Sequence, residues 1–295
     1  LTGKDSFMKT NTRVRSAGLA GTFYPAEPSG IREVISACSP GEKHLPVETV
    51  PGKTIIGGVL PHAGMIYCVR QTVHFFNHYI KQAGEGRIEG KFPDTTVVIV
   101  HPNHTGYGPA MSVGAYDYWE TPLGRVAVDL ELESGLDIPV SVRAQEGEHS
   151  AEVILPYLQF FLGEGFRIVP INMLEQSLEN ARLIGGKVHR LAKEKGRNIL
   201  FSASSDFSHF LSPEQGRALD DLVLERILDR DSAGLGETVN RYKVSVCGYG
   251  PIMALMEYAG NTSEQYSVRL ISRGNSGEVS ESSRVVNYNS LLLEA

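Results

Sequence analysis

No apolar run in this chain approaches the roughly 18–20 residues of a membrane-spanning helix, and the amino-terminal stretch lacks the charged-then-apolar pattern of a secretory signal. No block of Lys or Arg stands out, and the formal net charge is -6 with a pI of about 5.9. A basic footprint for nucleic acid is therefore missing. Only three cysteines occur in 295 residues, Cys38, Cys68 and Cys247. So sparse and odd a set argues against a disulfide framework and fits a reducing compartment, so a cytoplasmic location is expected. The generic catalytic signatures are missing too: no Walker-type phosphate loop, no dinucleotide fingerprint, no Gly-x-Ser-x-Gly elbow, no His-Glu-x-x-His. No Pro/Ser-rich linker, repeat or low-complexity tract divides the chain.

What is present is alternation. Short apolar runs that read as strands lie at Ile55–Leu60, Thr95–Val100, Met111–Tyr118, Phe166–Met173, Asn198–Ser202, Tyr266–Ile271 and Arg284–Asn289. Helical periodicity fills Ile66–Ile80, Glu148–Leu162, Leu178–Ala192 and Pro251–Ala259. Pro156 is expected to kink the second of these or to mark a boundary. Ser212-Pro213-Glu214-Gln215 has the form of a helix start, Ser as N-cap with Pro first, and its helix is expected to run to Leu228. Cys38–Lys53 and Lys81–Pro93 read as surface loops. The pattern implies one three-layer α/β/α domain over residues 8–295 around a mostly parallel or mixed sheet, with residues 1–7 a leader outside the fold.

Four polar clusters carry the chemistry. Pro61-His62-Ala63-Gly64, His101-Pro102-Asn103-His104 and Ser205-Asp206-Phe207-Ser208-His209 each follow an expected strand, and Cys247-Gly248-Tyr249-Gly250 opens a helix. If those strands are parallel neighbours, side chains beyond their carboxyl ends meet in one crevice. His62 precedes small residues that admit a ligand; a histidine that only caps a strand would look the same. His104 is read as the outward ligand and His101 as support or packing. Asp206 beside His209 suits proton transfer, against a plain capping Asp. Cys247 at a helix start is expected to have a lowered pKa, against the commoner fate of a small buried hydrophobe. His149, heading a helix, is assigned to substrate contact, with helix capping as the alternative.

At these residues the chain resembles the Memo family, called AmmeMemoRadiSam system protein B in prokaryotes. The matching stretches are Ala17-Gly18-Leu19-Ala20-Gly21-Thr22-Phe23-Tyr24-Pro25, Pro61-His62-Ala63-Gly64, Pro102-Asn103-His104, Glu148-His149-Ser150, Ser204–His209 and Cys247-Gly248. The resemblance implies a fold shared with class III extradiol dioxygenases, non-haem iron enzymes whose metal is held by two His and one Glu. It places His62, His104 and Cys247 at the metal positions, a thiol standing where the dioxygenases have a carboxylate. His209 falls on their acid/base histidine. The animal member is a motility effector and a metal-binding redox protein that takes a phosphotyrosine peptide at the same crevice. Phe23 stands where that member has a rim Trp, and Tyr67 matches a pocket tyrosine. Radical-SAM and AMMECR1-domain proteins are the partners the family name implies.

Three functions follow. The first is redox or dioxygenase-like chemistry on one divalent transition metal, Fe(II) favoured, Cu or Zn as alternatives, with Asp206 orienting His209. The second is metal-free chemistry with Cys247 as nucleophile. The third is a module binding a small molecule or an acidic or phosphorylated peptide in the crevice.

Overall fold

The computed structural model describes residues 12–38, 52–84, 92 and 94–295. The expected leader, and residues 39–51, 85–91 and 93 of the two expected loops, lie outside the described residues. Along the chain the elements are β1 (Val14–Arg15), α1 (Pro28–Cys38), β2 (Ile55–Leu60), α2 (Met65–Gly84), β3 (Thr95–Pro102), β4 (Met111–Val113), β5 (Tyr118–Thr121) and β6 (Gly124–Val128). There follow α3 (Leu130–Gly135), α4 (Val142–Gln145), a 3₁₀ turn over Glu152–Ile154, α5 (Leu155–Leu162), β7 (Arg167–Met173), α6 (Leu178–Lys195), β8 (Asn198–Ser204) and β9 (His209–Leu211). The chain closes with α7 (Pro213–Leu228), α8 (Ser232–Tyr242), α9 (Tyr249–Thr262), β10 (Ser267–Asn275) and β11 (Val285–Glu294).

The eleven strands form one mixed sheet in the order β1-β5-β6-β7-β3-β8-β2-β11-β10, with β4 added to β7 and β9 to β11. Its centre, β7-β3-β8-β2, is all parallel. Parallel strands are covered on both faces and so read as continuous apolar runs; β2 and β3 are buried at every residue. One apolar layer joins the sheet to α1, α2 and α5, the other to α3 and α6–α9. The expected α/β/α layering is thus the architecture.

Two glycines let both helical layers approach β2. A Cβ on Gly57 would lie 2.7 Å from Leu255 Cδ1 of α9 and against the Phe201 carbonyl; one on Gly58 would collide with the Phe75 ring of α2. On β11, Leu293 pairs with Gly57 and Glu294 with Ile55, so Ile56 is an extra residue in a bulge.

Several boundaries differ from the sequence reading. Met111–Tyr118 is not one strand: β4 ends at Val113 and β5 begins at Tyr118. Of the two outcomes expected at Pro156, a boundary is found and not a kink: it sits in the first turn of α5, which begins at Leu155, where its missing N–H costs nothing. Ser212 caps α7 as expected, accepting from the Gln215 N–H, and α7 ends at Leu228. No helix among the described residues is long and apolar enough to cross a membrane.

Glu133 on α3 is buried, and burial pushes its carboxyl up to about 8, with Arg13 opposing and Asp117 adding. The folded state therefore holds a proton that the unfolded chain releases near 4.5. Stability from this group is highest below about 4.5 and falls as pH rises to about 8. Urea-midpoint series across that range should show a steeper decline for the parent chain than for Glu133→Gln; superimposable declines would refute the assignment.

Candidate metal centre

The carboxyl ends of β2, β8 and β3 lie side by side, and the first three polar clusters leave from them. His62 follows β2, Asp206 follows β8, and His104 follows β3. The loop after β8 is pinned beneath β2: Ser205 N donates to Leu60 O at 2.9 Å, and His62 N donates to Asp206 Oδ1 at 2.8 Å. The start of α9 closes on it, with Gly248 N donating to Ser205 Oγ at 3.0 Å. A Cβ on Gly248 would lie 2.7 Å from Ser205 Cβ and strike the Ser204 carbonyl, so only glycine seats Cys247 here.

Among the described residues, His62, His104 and His149 form a group whose ligand atoms all lie within 4.8 Å of one another. Their ring centroids are 4.5–5.3 Å apart. His149 arrives on the segment between α4 and the 3₁₀ turn. That segment is held by Arg15 of β1, which donates to the carbonyls of Gln145 and Glu148 and pairs with the buried Glu152. Glu152 also accepts from Leu19 N at 2.9 Å and Tyr24 Oη at 2.6 Å, anchoring the Phe23 turn. Phe23 O accepts from Met65 N at 2.7 Å, and its ring lies 4.8 Å from that of His149.

Hydrogen bonds fix two tautomers. Ser204 Oγ donates to the Ser150 carbonyl at 2.6 Å, so toward His62 it accepts, and His62 Nδ1 carries the proton (2.7 Å). His104 Nδ1 lies 2.9 Å from Glu148 Oε1 and must donate to a carboxylate. Each ring thus keeps an Nε2 lone pair. His149 Nδ1 lies 3.3 Å from the same Oε1.

The electrostatics suit neutral ligands. Burial, then the neighbouring His149 and His104, drive His62 far below its ordinary value. Burial lowers His149 to about 4, Glu148 opposing. Burial raises the Glu148 carboxyl, but the His104 hydrogen bond and the charges of His101 and His104 outweigh it and hold the group well below the usual range. A tetrahedral ion with bonds of about 2.05 Å sets its donors about 3.3 Å apart. The Nε2 lone pairs of His62 and His104, the first shared with the Cys247 thiol, and the His149 ring beside them, backed by a carboxylate, therefore fit a transition metal after small side-chain rotations.

Sequence reasoning put Cys247 in the ligand set and His149 at substrate; the geometry brings His149 among the donors and sets Cys247 Sγ 3.1 Å from His62 Nε2. The thiol is not acidified: burial first and the Asp206 charge second push it well up, and the helix cap is Gly248, one residue further on. Burial raises Asp206 to about 6, against the His62 N–H bond. Asp206 grips the His62 backbone, whereas His209 Nδ1 donates to the Ser245 carbonyl at 2.8 Å. Asp206 and His209 still act on each other by charge. His101 is wholly buried, its Nδ1 turned to Ser150 Oγ and Pro102 O. Tyr67 is half-buried in the first turn of α2, its ring beside Gly64. The sequence assigns no role to Glu148 as hub, to Ser204 as the partner of His62, or to Arg15, Glu152 and Ser245. Only the matching stretches Glu148-His149-Ser150 and Ser204–His209 marked part of that set.

Comparison with known proteins gives the family and the fold. A family model described as Memo-like protein matches residues 15–292. A MEMO1 family protein of Methanosarcina barkeri is 35% identical over 95% of this chain and 100% of its own length. A MEMO1 family protein of Methanopyrus kandleri is 38% identical over 93% of this chain and 96% of its own. Among solved structures, an uncharacterized protein of Escherichia coli K12 shares the fold with a TM-score of 0.51 at 13% identity, over 81% of this chain and 99% of that one. The chain belongs to the Memo family.

Glu152→Ala would leave Arg15 buried without its partner and free both the Phe23 turn and the His149 segment. The expected cost is about 3–5 kcal/mol, read as a fall in the urea midpoint; a change under about 0.5 kcal/mol would match a surface substitution and sink the claim.

Proposed function

We propose that this Memo-family protein holds one divalent transition-metal ion, Fe(II) in the first instance, on His62, His104 and His149 and performs redox or dioxygenase-like chemistry on a small molecule in the crevice. The observation that carries the reading is the set of three imidazoles within 4.8 Å, with His62 and His104 locked as Nδ1–H tautomers. A redox-active ion supplies electron transfer and oxygen activation, whereas Zn²⁺ supplies Lewis acidity alone. Glu148 fixes the His104 ring and neutralises charge that builds up beside it. His209, held through Nδ1 by the Ser245 carbonyl, presents its other nitrogen to take or return a proton. Phe23 covers the His149 ring on one side and shields it from water.

Cys247 supports a second reading, because its Sγ lies 3.1 Å from an imidazole nitrogen, the contact that thiol nucleophiles use. The raised thiol pKa speaks against it, since the neutral S–H is a poor nucleophile.

One series separates these readings. After anaerobic loading with Fe(II), Cu or Zn, elemental analysis should give about one ion per chain by the three-ligand logic, and His62→Ala/His104→Ala/His149→Ala should bind none. Unchanged stoichiometry in that triple variant would dispose of the metal reading. Loss of the ion in Cys247→Ala with retention in His149→Ala would make the thiol the third ligand. Rapid alkylation of Cys247 by iodoacetamide at neutral pH in the metal-free chain would favour the nucleophile.

A further inference from the structure

A helix normally meets a sheet through apolar side chains on both sides. The second half of α7 obeys this, with Val223, Leu224 and Ile227 in the core. Its first half does not: Glu214, Arg217, Asp220 and Asp221 share one face at spacings of three and four. Across from them, on the hairpin of β10 and β11, Arg273 pairs with Asn289 and Asn275 with Asn287 in register. Between the polar helix face and the polar strands lies a cleft of about 420 Å³, within the size range of small-ligand sites.

Most of the polar groups there are already committed. Asp220 accepts from Ser208 N at 3.0 Å, Ser208 Oγ and Asn287 Nδ2. Arg273 donates to Asp221 at 2.6 Å. Asn289 is different: it is 1% exposed, and its Nδ2 has no hydrogen-bond partner among the described residues. A buried amide donor on a cleft wall, left without a partner, is a position at which a ligand acceptor gains a hydrogen bond. Arg217 lies on the exposed flank with no ion pair among the described residues. Among the lining side chains, Asn289 Nδ2 and Arg217 are donors and Glu214 an acceptor for which no hydrogen bond or ion pair is present among the described residues.

We propose that the cleft between α7 and the β10–β11 hairpin binds a small zwitterion of the α-amino acid class, its carboxylate on Asn289 and Arg217 and its ammonium toward Glu214. A multiply charged phosphate is a poor match, because Glu214 and Asp221 line the same walls. The site is separate from the imidazole cluster but mechanically joined to it. Asn287 N donates to Ser208 O at 2.9 Å, and Asn287 O accepts from Phe207 N at 2.9 Å. The cleft wall and the loop bearing Asp206 and His209 therefore share one hydrogen-bonded strand, and an occupant stiffens both.

The test is thermal denaturation of the whole chain against each of the twenty standard amino acids, with acetate and methylamine as half-molecule controls, followed by calorimetric titration of any that stabilise. At least one amino acid should raise the midpoint saturably, with neither control doing so at equal concentration. Arg217→Gln, at an exposed position that folding does not depend on, should weaken binding roughly tenfold or more. Asn289→Leu should abolish it, and His104→Ala should leave it unchanged. Amide exchange of residues 206–209 should slow on binding. No stabilisation by any amino acid, or full affinity in Arg217→Gln, overturns the proposal. Binding lost in His104→Ala and kept in Arg217→Gln would place the ligand in the crevice and equally overturn it.

Discussion

The crevice depends on one buried anion. Glu148 receives the backbone N–H groups of His104 and Ser150, the Nδ1–H of His104 and the Ser150 hydroxyl, and it lies 3.3 Å from His149. A carboxylate sealed from water is costly unless each lone pair is met by a donor. Here the donors that meet it are the groups that must be oriented. The requirement that Glu148 be satisfied is the same requirement that aims two imidazoles into one space. Ser150 extends the arrangement: its carbonyl takes the Ser204 hydroxyl, which in turn receives the His62 proton. Three residues contributed by three separate segments are thereby set by one connected network.

Around that network the protein spends rigid elements. His62, His104 and Asp206 emerge from strands buried on both faces, so their backbones inherit the stiffness of the sheet. His149 has no strand behind it, and its support comes instead from Arg15 and Glu152, an ion pair buried at both ends. A strongly hydrogen-bonded guanidinium bracing carbonyls is a substitute for a strand ladder. The Phe23 turn hangs from the same carboxylate, so the ring that covers His149 and the segment that carries it are fixed by a single pair.

Much of this could be read from the sequence, and the reason is local. Runs such as Ile55–Leu60 and Thr95–Val100 announce parallel strands, and a polar residue just beyond a strand end is a strong positional signal. Ser212-Pro213 likewise specifies a helix start by chemistry confined to four residues. What could not be read was set by distance. Nothing near His149 indicates that Arg15, over a hundred residues earlier, brings it to His62. Asp206 and His209, three apart, looked like a hydrogen-bonded pair, but the parallel placement of β2 and β8 gives Asp206 to the His62 backbone and leaves His209 to Ser245. The raised Cys247 thiol followed from burial and the Asp206 charge, both invisible in one dimension. α8 was overlooked because Gly234, Gly236 and Thr238 are weak helix formers. Its Asp231 cap, accepting from Gly234 N, and its buried Leu235 and Val239 outweigh that weakness.

The strand order carries a consequence for synthesis. β2 has two neighbours in the finished sheet, β8 and β11. The first of these begins only at Asn198. While the ribosome makes everything between, the apolar segment Ile55–Leu60 has no correct strand on either edge, and β3, its nearest finished counterpart, is the wrong one. Such an unpaired edge invites mispairing and aggregation. Adding β8 between β2 and β3 pairs the facing edge of each, leaves the other edge of β2 to β11, and in the same step brings Ser204 under His62. Seating β8 thus closes an exposed edge of β2 and sets the His62 ring of the imidazole crevice in a single folding event.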